Sequence, residues 1–346
     1  MTMHIPWRAA LLLLALPMTS ATILAQLAPS PDAPPVSNAP AEPDEAPVAT
    51  FKIQVNLVDI LFTAKDKNGN LVPHLTRGDC SISEDKVPQT LKSFVAETSQ
   101  PLTLGILLDT SGSQTRVLQL EKDAGGEFLQ RVLKPKDQAF LLGVDVNVDL
   151  LQDLTNNVRQ LAHALNQAEI NAGVSLGPGP VPTGNPRGTL LYDAVYLASR
   201  EKLNQESARK AMILLTDGED QGSHKKIEEA IAAAQKANAV VYVILIADVA
   251  GYLDMGMGYF GYSAMKKMAE ETGGRVINVG NNEKKLRAAF DQIEAELRTQ
   301  YMATYTPTNA KQDGAFRRIA VECRGDGGDN LKVQVRKGYF APSPAN

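Results

Sequence analysis

Four apolar runs constrain this chain more than anything else in it: LTLGILLD ending at Asp109, AFLLGV at 139–144, MILLTD at 212–217 and VVYVILI at 240–246. Each has the length of a strand and is too uniformly apolar for a strand with one face in water. Such runs occur where strands are covered on both sides, as in a parallel sheet between two helical layers. RVINVG at 275–280 is a weaker fifth candidate. Helical spacing fills the intervals. It is seen near 115–133, at Ile227, Ala230, Ile231 and Ala234, and at Leu286, Ala289, Phe290, Ile293 and Leu297. Strand and helix in alternation predict an α/β domain, doubly wound around a mostly parallel sheet.

The flanks have a different period. Phe51, Ile53, Val55 and Leu57 alternate with polar residues. The parity then switches to Val58, Ile60 and Phe62, which predicts a bulge or a strand buried on both faces. Asn68-Gly69 is a hairpin turn signal, and Cys80 and Ile82 share one face of a further strand. After residue 300 alternation returns at Ile319, Val321 and Cys323 and at Leu331, Val333 and Val335, with a turn at Asp326-Gly327-Gly328-Asp329. Neither flank alone has strands enough for a comfortable core. We therefore expect residues 51–98 and 301–342 to combine into one small β-sandwich, with the α/β domain, 99–300, inserted in it. Cys80 and Cys323 fall on apolar faces in opposite flanks. They form either an intramolecular disulfide that closes the insertion or two buried thiols.

Residues 1–25 read as a secretory signal: His4 and Arg8 precede an apolar run, Ala9 to Leu16, too short to span a bilayer, and Ala25 is the preferred cleavage residue. The alternative is an uncleaved anchor. No cysteine stands near the cleavage site, which argues against a lipoprotein. Residues 26–50 are rich in Pro and Ala, a semi-extended linker. The chain is thus expected to be exported, to the periplasm, cell surface or medium, with no membrane span in its mature form. Its net charge of −4 excludes a general nucleic-acid binder.

The chemistry concentrates at Asp109-Thr110-Ser111-Gly112-Ser113, directly after the first apolar run. Asp109, Ser111 and Ser113 are two residues apart, so a tight loop can turn all three oxygens to one point. One carboxylate and two hydroxyls suit a hard divalent cation, Mg²⁺ first, with Mn²⁺ and Ca²⁺ equally compatible with the ligand types. Gly188-Thr189 offers a further hydroxyl at a helix start. Asp217 places a carboxylate at the end of another buried strand, which a parallel sheet brings to the same face.

With these residues in place the chain resembles the von Willebrand factor A domain family, over about residues 100–300. The resemblance implies a metal-ion-dependent adhesion site with Asp109, Ser111, Ser113, Thr189 and Asp217 as ligands, Asp217 through water. The segments 69–94 and 297–342 are similar to bacterial von Willebrand factor A-related proteins of the acidobacterial type, with Cys80 where a bulky apolar residue is expected. The implied function is cation-dependent adhesion to a protein or peptide that supplies a carboxylate to the metal, without catalysis.

Two loops, 171–187 and 248–262, should flank this face. The second carries Tyr252, Met255, Met257, Tyr259, Phe260 and Tyr262, which is either binding material or a lid on its own domain. Two other functions stay open: a metal-assisted hydrolase at the same site, and an envelope scaffold with a purely structural metal. The chain has no zinc-spaced histidine pair and no G-x-S-x-G elbow. His224 is the one candidate base for Ser111, and its ordinary reading is a surface residue at a helix start.

Overall fold

The computed structural model describes residues 57–96, 100–171, 188–246 and 261–343. The expected leader, the Pro/Ala-rich segment, the alternating Phe51, Ile53 and Val55 and most of both loops lie outside them. The first strand, β1 (Val58–Lys65), buries Val58, Ile60 and Phe62 on one parity and Thr63 on the other, so its far end is covered on both faces. β2 (Cys80–Glu84), β3 (Val87–Gln89) and β4 (Leu91–Ala96) follow. The Asn68-Gly69 turn forms, with Gly69 at φ 86°, but it leads only to an isolated bridge between Lys65 and Leu71 instead of a second hairpin strand.

The α/β part runs β5 (Leu102–Asp109), α1 (Leu118–Val132), β6 (Gln138–Val144), β7 (Val148–Thr155), α2 (Val158–Gln167), α3 (Leu191–Leu197), β8 (Arg209–Thr216), α4 (Ile227–Lys236), β9 (Ala239–Leu245), α5 (Gly261–Thr272), β10 (Val276–Asn278) and α6 (Glu283–Arg298). Its six-stranded sheet has the order β10-β9-β8-β5-β6-β7, parallel except for β7. Every side chain of β5 is buried because both faces are covered. Leu104, Ile106 and Leu108 pack with α1, α2 and α6, while Leu107 packs with α3, α4 and α5. Gly105 leaves room for Phe140 of β6; a Cβ there would lie 2.5 Å from the ring. The antiparallel edge strand β7 had no clear signature in the sequence. It is half-exposed, with Leu150 facing water, and its register with β6 shifts twice, so no clean period marks it.

The chain ends in β11 (Tyr301–Tyr305), β12 (Phe316–Cys323), β13 (Lys332–Val335) and β14 (Gly338–Phe340). These interleave with the N-terminal strands in two antiparallel four-stranded sheets, β13-β1-β11-β4 and β14-β12-β2-β3. Each sheet takes two strands from either flank, so neither flank can form its sheets alone. Ile60, Phe62, Ile82, Tyr301, Tyr305 and Val321 share the core between them. This is the inserted architecture expected from the sequence. The buried Glu296 of α6 ties the two parts together, receiving Lys65 and Arg275 at 2.7 Å each.

Cys80 and Cys323 are opposite one another on β2 and β12 and form a disulfide across a sequence separation of 243 residues. It closes the insertion within one sheet. Cross-linking so long a loop should contribute about 5 kcal/mol in the chain-entropy account. Urea unfolding of the Cys80→Ser/Cys323→Ser protein should therefore show a large loss of stability, approaching that figure, with the sandwich losing its protection first.

Candidate metal centre

From β5 the chain goes through α1 to β6 on one side of the sheet, whereas β8 goes through α4 to β9 on the other. The two connections diverge between the carboxyl ends of β5 and β8, and that is the crevice position of the sheet. Ligands bind at such switch points in open α/β sheets. Asp109 is the last residue of β5, Thr216 the last of β8, and Asp217 follows it.

Asp109 is fully buried. One carboxylate oxygen accepts the Ser111 N–H at 3.0 Å and the other the Thr216 hydroxyl at 2.7 Å. The Thr216 Oγ1 in turn accepts the Gly218 N–H at 2.9 Å. Gly218 holds φ 87°, a left-handed value that lets the chain turn directly after Asp217. Thr110 points the other way, its hydroxyl bonded to Asp145 at 2.8 Å and its N–H to the Val144 carbonyl. The loop then reverses in a 3-10 turn, Gly112–Arg116. This leaves the hydroxyls of Ser111 and Ser113 2.9 Å apart, with Ser113 exposed.

Thr189 is buried and joins the Asp217 loop through two backbone bonds with Gln221, at 3.1 and 3.0 Å. Gly188 makes that approach feasible, since a Cβ would lie 2.6 Å from the Gln221 carbonyl oxygen. The sequence-derived residues thus fall on three neighbouring loops: Asp109, Ser111 and Ser113 on the first, Thr189 on the second, Asp217 on the third.

Electrostatically the crevice is strained. Burial, and then the charge of Asp217, raise the Asp109 carboxyl to about pKa 6, against the opposing hydrogen bonds from Ser111 and Thr216. A third acid, Glu121 of α1, is fully buried and, among the described residues, has no hydrogen-bond partner on either oxygen. Burial first, then the charges of Asp109 and Asp217, hold it well above the ordinary carboxylate range. The buried amide of Gln114, beside Ser113, has an Oε1 with no donor. Three buried acceptor oxygens near the site, two on Glu121 and one on Gln114, thus lack a donor among the described residues.

Sequence reasoning missed Thr216, Gln114 and Glu121. Thr216 reads simply as the end of a strand. Glu121 did leave a signal: it occupies the apolar stripe of α1, in line with Leu118, Gly125, Phe128 and Val132.

His224 is exposed on its ring and bonds through Nδ1 to Asp193 at 3.2 Å. Burial opposes ionisation of Asp193, but the backbone N–H groups of His224 and Lys225 outweigh it and leave its pKa lowered. His224 thus lies at a surface turn before α4, as its ordinary reading predicts, and is not hydrogen-bonded to Ser111.

Most of the two flanking loops, including Tyr252, Met255, Met257, Tyr259 and Phe260, lies outside the described residues. Their ends are anchored around the crevice. Asn171 donates its N–H to the Thr110 carbonyl and its side-chain amide to Asp145. Ile246 bonds to the Thr216 carbonyl, and Gly261 donates to Glu219 at 3.2 Å. Tyr262 is exposed.

The profile of the von Willebrand factor type A domain matches residues 103–292, more than half of the chain. No curated protein matches in sequence. Among solved structures, a von Willebrand factor type A protein from Catenulispora acidiphila is similar at 12% identity and TM-score 0.46, over 77% of this chain and 74% of that one. Proximal thread matrix protein 1 from the mussel byssus is similar at 18% identity and TM-score 0.46, over 62% of this chain. This chain spans about half of the mussel protein, 51% of its length. Another structure of the mussel protein, with a zinc-occupied MIDAS motif, is similar at 17% identity and TM-score 0.46, over 62% and 49% of the two chains.

The raised Asp109 pKa has a definite sign for stability. Without a cation, the folded chain keeps this proton up to about pH 6, and the unfolded chain only to about pH 4. The folded state binds more protons between these values, so this group's contribution to stability falls as pH rises through that window and is level above it. The gap is worth about 3 kcal/mol. In EDTA, urea unfolding at pH 4 to 7 should show wild type losing about that much relative to Asp109→Asn, whatever fixed offset the lost hydrogen bond adds.

Proposed function

Because the chain belongs to the von Willebrand factor type A domain family, we propose that it is an exported, divalent-cation-dependent protein-binding module whose ion is held by Asp109, Ser111, Ser113, Thr189 and Asp217. The observation that carries this reading is Asp109 itself, fully buried at the strand end, facing the charge of Asp217, with only neutral donors on its oxygens. A buried carboxylate with no countercharge is unfavourable unless it is protonated or meets a cation. The donor set fits the second solution: carboxylates and hydroxyls, with no thiolate or imidazole, match a hard ion, Mg²⁺ first, then Mn²⁺ or Ca²⁺.

Ser113 would place the ion at the surface. Once bound, the ion supplies a positive centre to which an acidic side chain of a protein or peptide partner can be drawn. The loop ends at Asn171 and Gly261 frame the approach, and the segments they carry are proposed to read the rest of the partner. Adhesion without catalysis suits a site in which Ser111 bonds to Ser113 and His224 is engaged by Asp193. Export fits the Cys80–Cys323 disulfide, a bond typical of oxidising compartments. Among the described residues, no helix is long and apolar enough to cross a membrane.

Calorimetric titration of EDTA-stripped protein with Mg²⁺, Mn²⁺ and Ca²⁺ should give saturable binding that Asp109→Ala abolishes. An acidic partner captured from the producing cell's surroundings should be released by EDTA, and Ser111→Ala should weaken its capture. Turnover of a substrate lost in Asp109→Ala would favour the hydrolase instead. A Ser111→Ala protein that melts lower but binds the partner unchanged would favour a structural metal.

A further inference from the structure

We propose that Glu121 is a positioning residue of the cation site, behind the ion's own ligands and not one of them, whose charge sets how tightly the ion is held. The inference rests on the cation reading above and goes beyond it, because Glu121 lies outside the three loops that carry the expected ligands.

The case begins with what is odd about this side chain. Glu121 faces inward from the first turns of α1, at a position of the buried stripe where its neighbours are Leu118, Phe128 and Val132. It has no exposure, and neither carboxyl oxygen meets a donor. Among the described residues no Lys or Arg forms an ion pair with it. A purely structural helix would be better served there by Leu, since an unsatisfied buried acid is costly even when neutral.

Its surroundings suggest what compensates. The charged groups that act on Glu121 are Asp109 and Asp217, the two acids of the crevice. The backbone couples it firmly to the ligand loop. The Gln114 N–H bonds to Ser111, the Val117 N–H to Gln114 and the Glu121 N–H to Val117, at 3.0, 2.9 and 3.0 Å. The unpaired Oε1 of Gln114 stands on the same stretch. One divalent ion held at Asp109 and Asp217 offsets this surplus of buried acceptors, with Glu121 acting on it through charge from behind the ligands and not as a ligand. More carboxylate charge around a hard cation means tighter binding. The protein can then keep its ion without a partner's carboxylate, so loading precedes recognition.

The test uses the full chain, stripped with EDTA, as wild type, Glu121→Gln, Glu121→Leu and Asp109→Ala. Glu121→Leu should melt higher than wild type in EDTA, because the buried unsatisfied polar group is gone, while Glu121→Gln, which keeps one, should stay close to wild type. Both should bind Mg²⁺ about 10- to 100-fold more weakly by calorimetry, the range seen when groups supporting metal ligands are removed. A Kd for Mg²⁺ within twofold of wild type in both variants, with binding lost in Asp109→Ala, would overturn this proposal and leave the cation site standing. Lower melting temperatures in EDTA for both would also overturn it, since Glu121 would then be a structural anchor. Absence of Mg²⁺ binding by the wild type would overturn both readings together.

Discussion

A carboxyl group at the end of a strand covered on both faces sits where water cannot reach it, and the geometry around Asp109 follows from that. The apolar run that precedes it makes β5 the sheet's central strand, and centrality removes solvent from its last residue. The neighbouring elements answer with what hydrogen bonds they can. Ser111 turns its N–H back to one oxygen, and Thr216 of the adjacent strand gives its hydroxyl to the other. These donors are neutral, and a second acid follows Thr216 immediately. The sheet's change of winding direction between β5 and β8 puts these like charges at the strand ends, beside the switch point, instead of beneath a helix. Repulsion there is a means of attracting a cation; repulsion in a closed core would only be strain.

The sandwich holds the inserted domain by its chain ends. Its two sheets each need strands from before and after the inserted domain, and the disulfide joins β2 to β12 across the whole insertion. The ends of the α/β domain are consequently held together at the face of the sheet away from the crevice, where β5 begins and α6 ends. At the opposite end the described ends of the two loops are fixed by hydrogen bonds of Asn171, Ile246 and Gly261, and by Thr189 next to Gly188. The proposed ion ligands thus stand on strand ends and short turns of the inserted sheet, at the end opposite the sandwich's hold on the chain.

Much of this was legible in the chain because it rests on short-range pattern. Uniform apolar runs identify strands buried between helices, and all four strong ones are strands; the weaker run at 275–280 is the short edge strand β10. Alternation at Ile319, Val321 and Cys323 identifies β12. The D-x-S-x-S spacing is local, so its convergence follows from the loop alone. What could not be read depends on long-range geometry. β7 is an edge strand with irregular register and so lacks a period. The Asn68-Gly69 turn forms without a second strand because β1 pairs with β11 and β13 instead. Thr216 becomes part of the site only through β8 lying next to β5. Glu121 was visible as an acid on an apolar stripe, but its relation to Asp109 and Asp217 needed the fold.

The central claim is that one divalent ion sits in the crevice between β5 and β8, and crystals grown in Mn²⁺ test it most directly. An anomalous difference map should show a single strong peak among Asp109, Ser111, Ser113, Thr189 and Asp217. A map without a peak there, from crystals in which Mn²⁺ is bound elsewhere on the chain, would contradict the account.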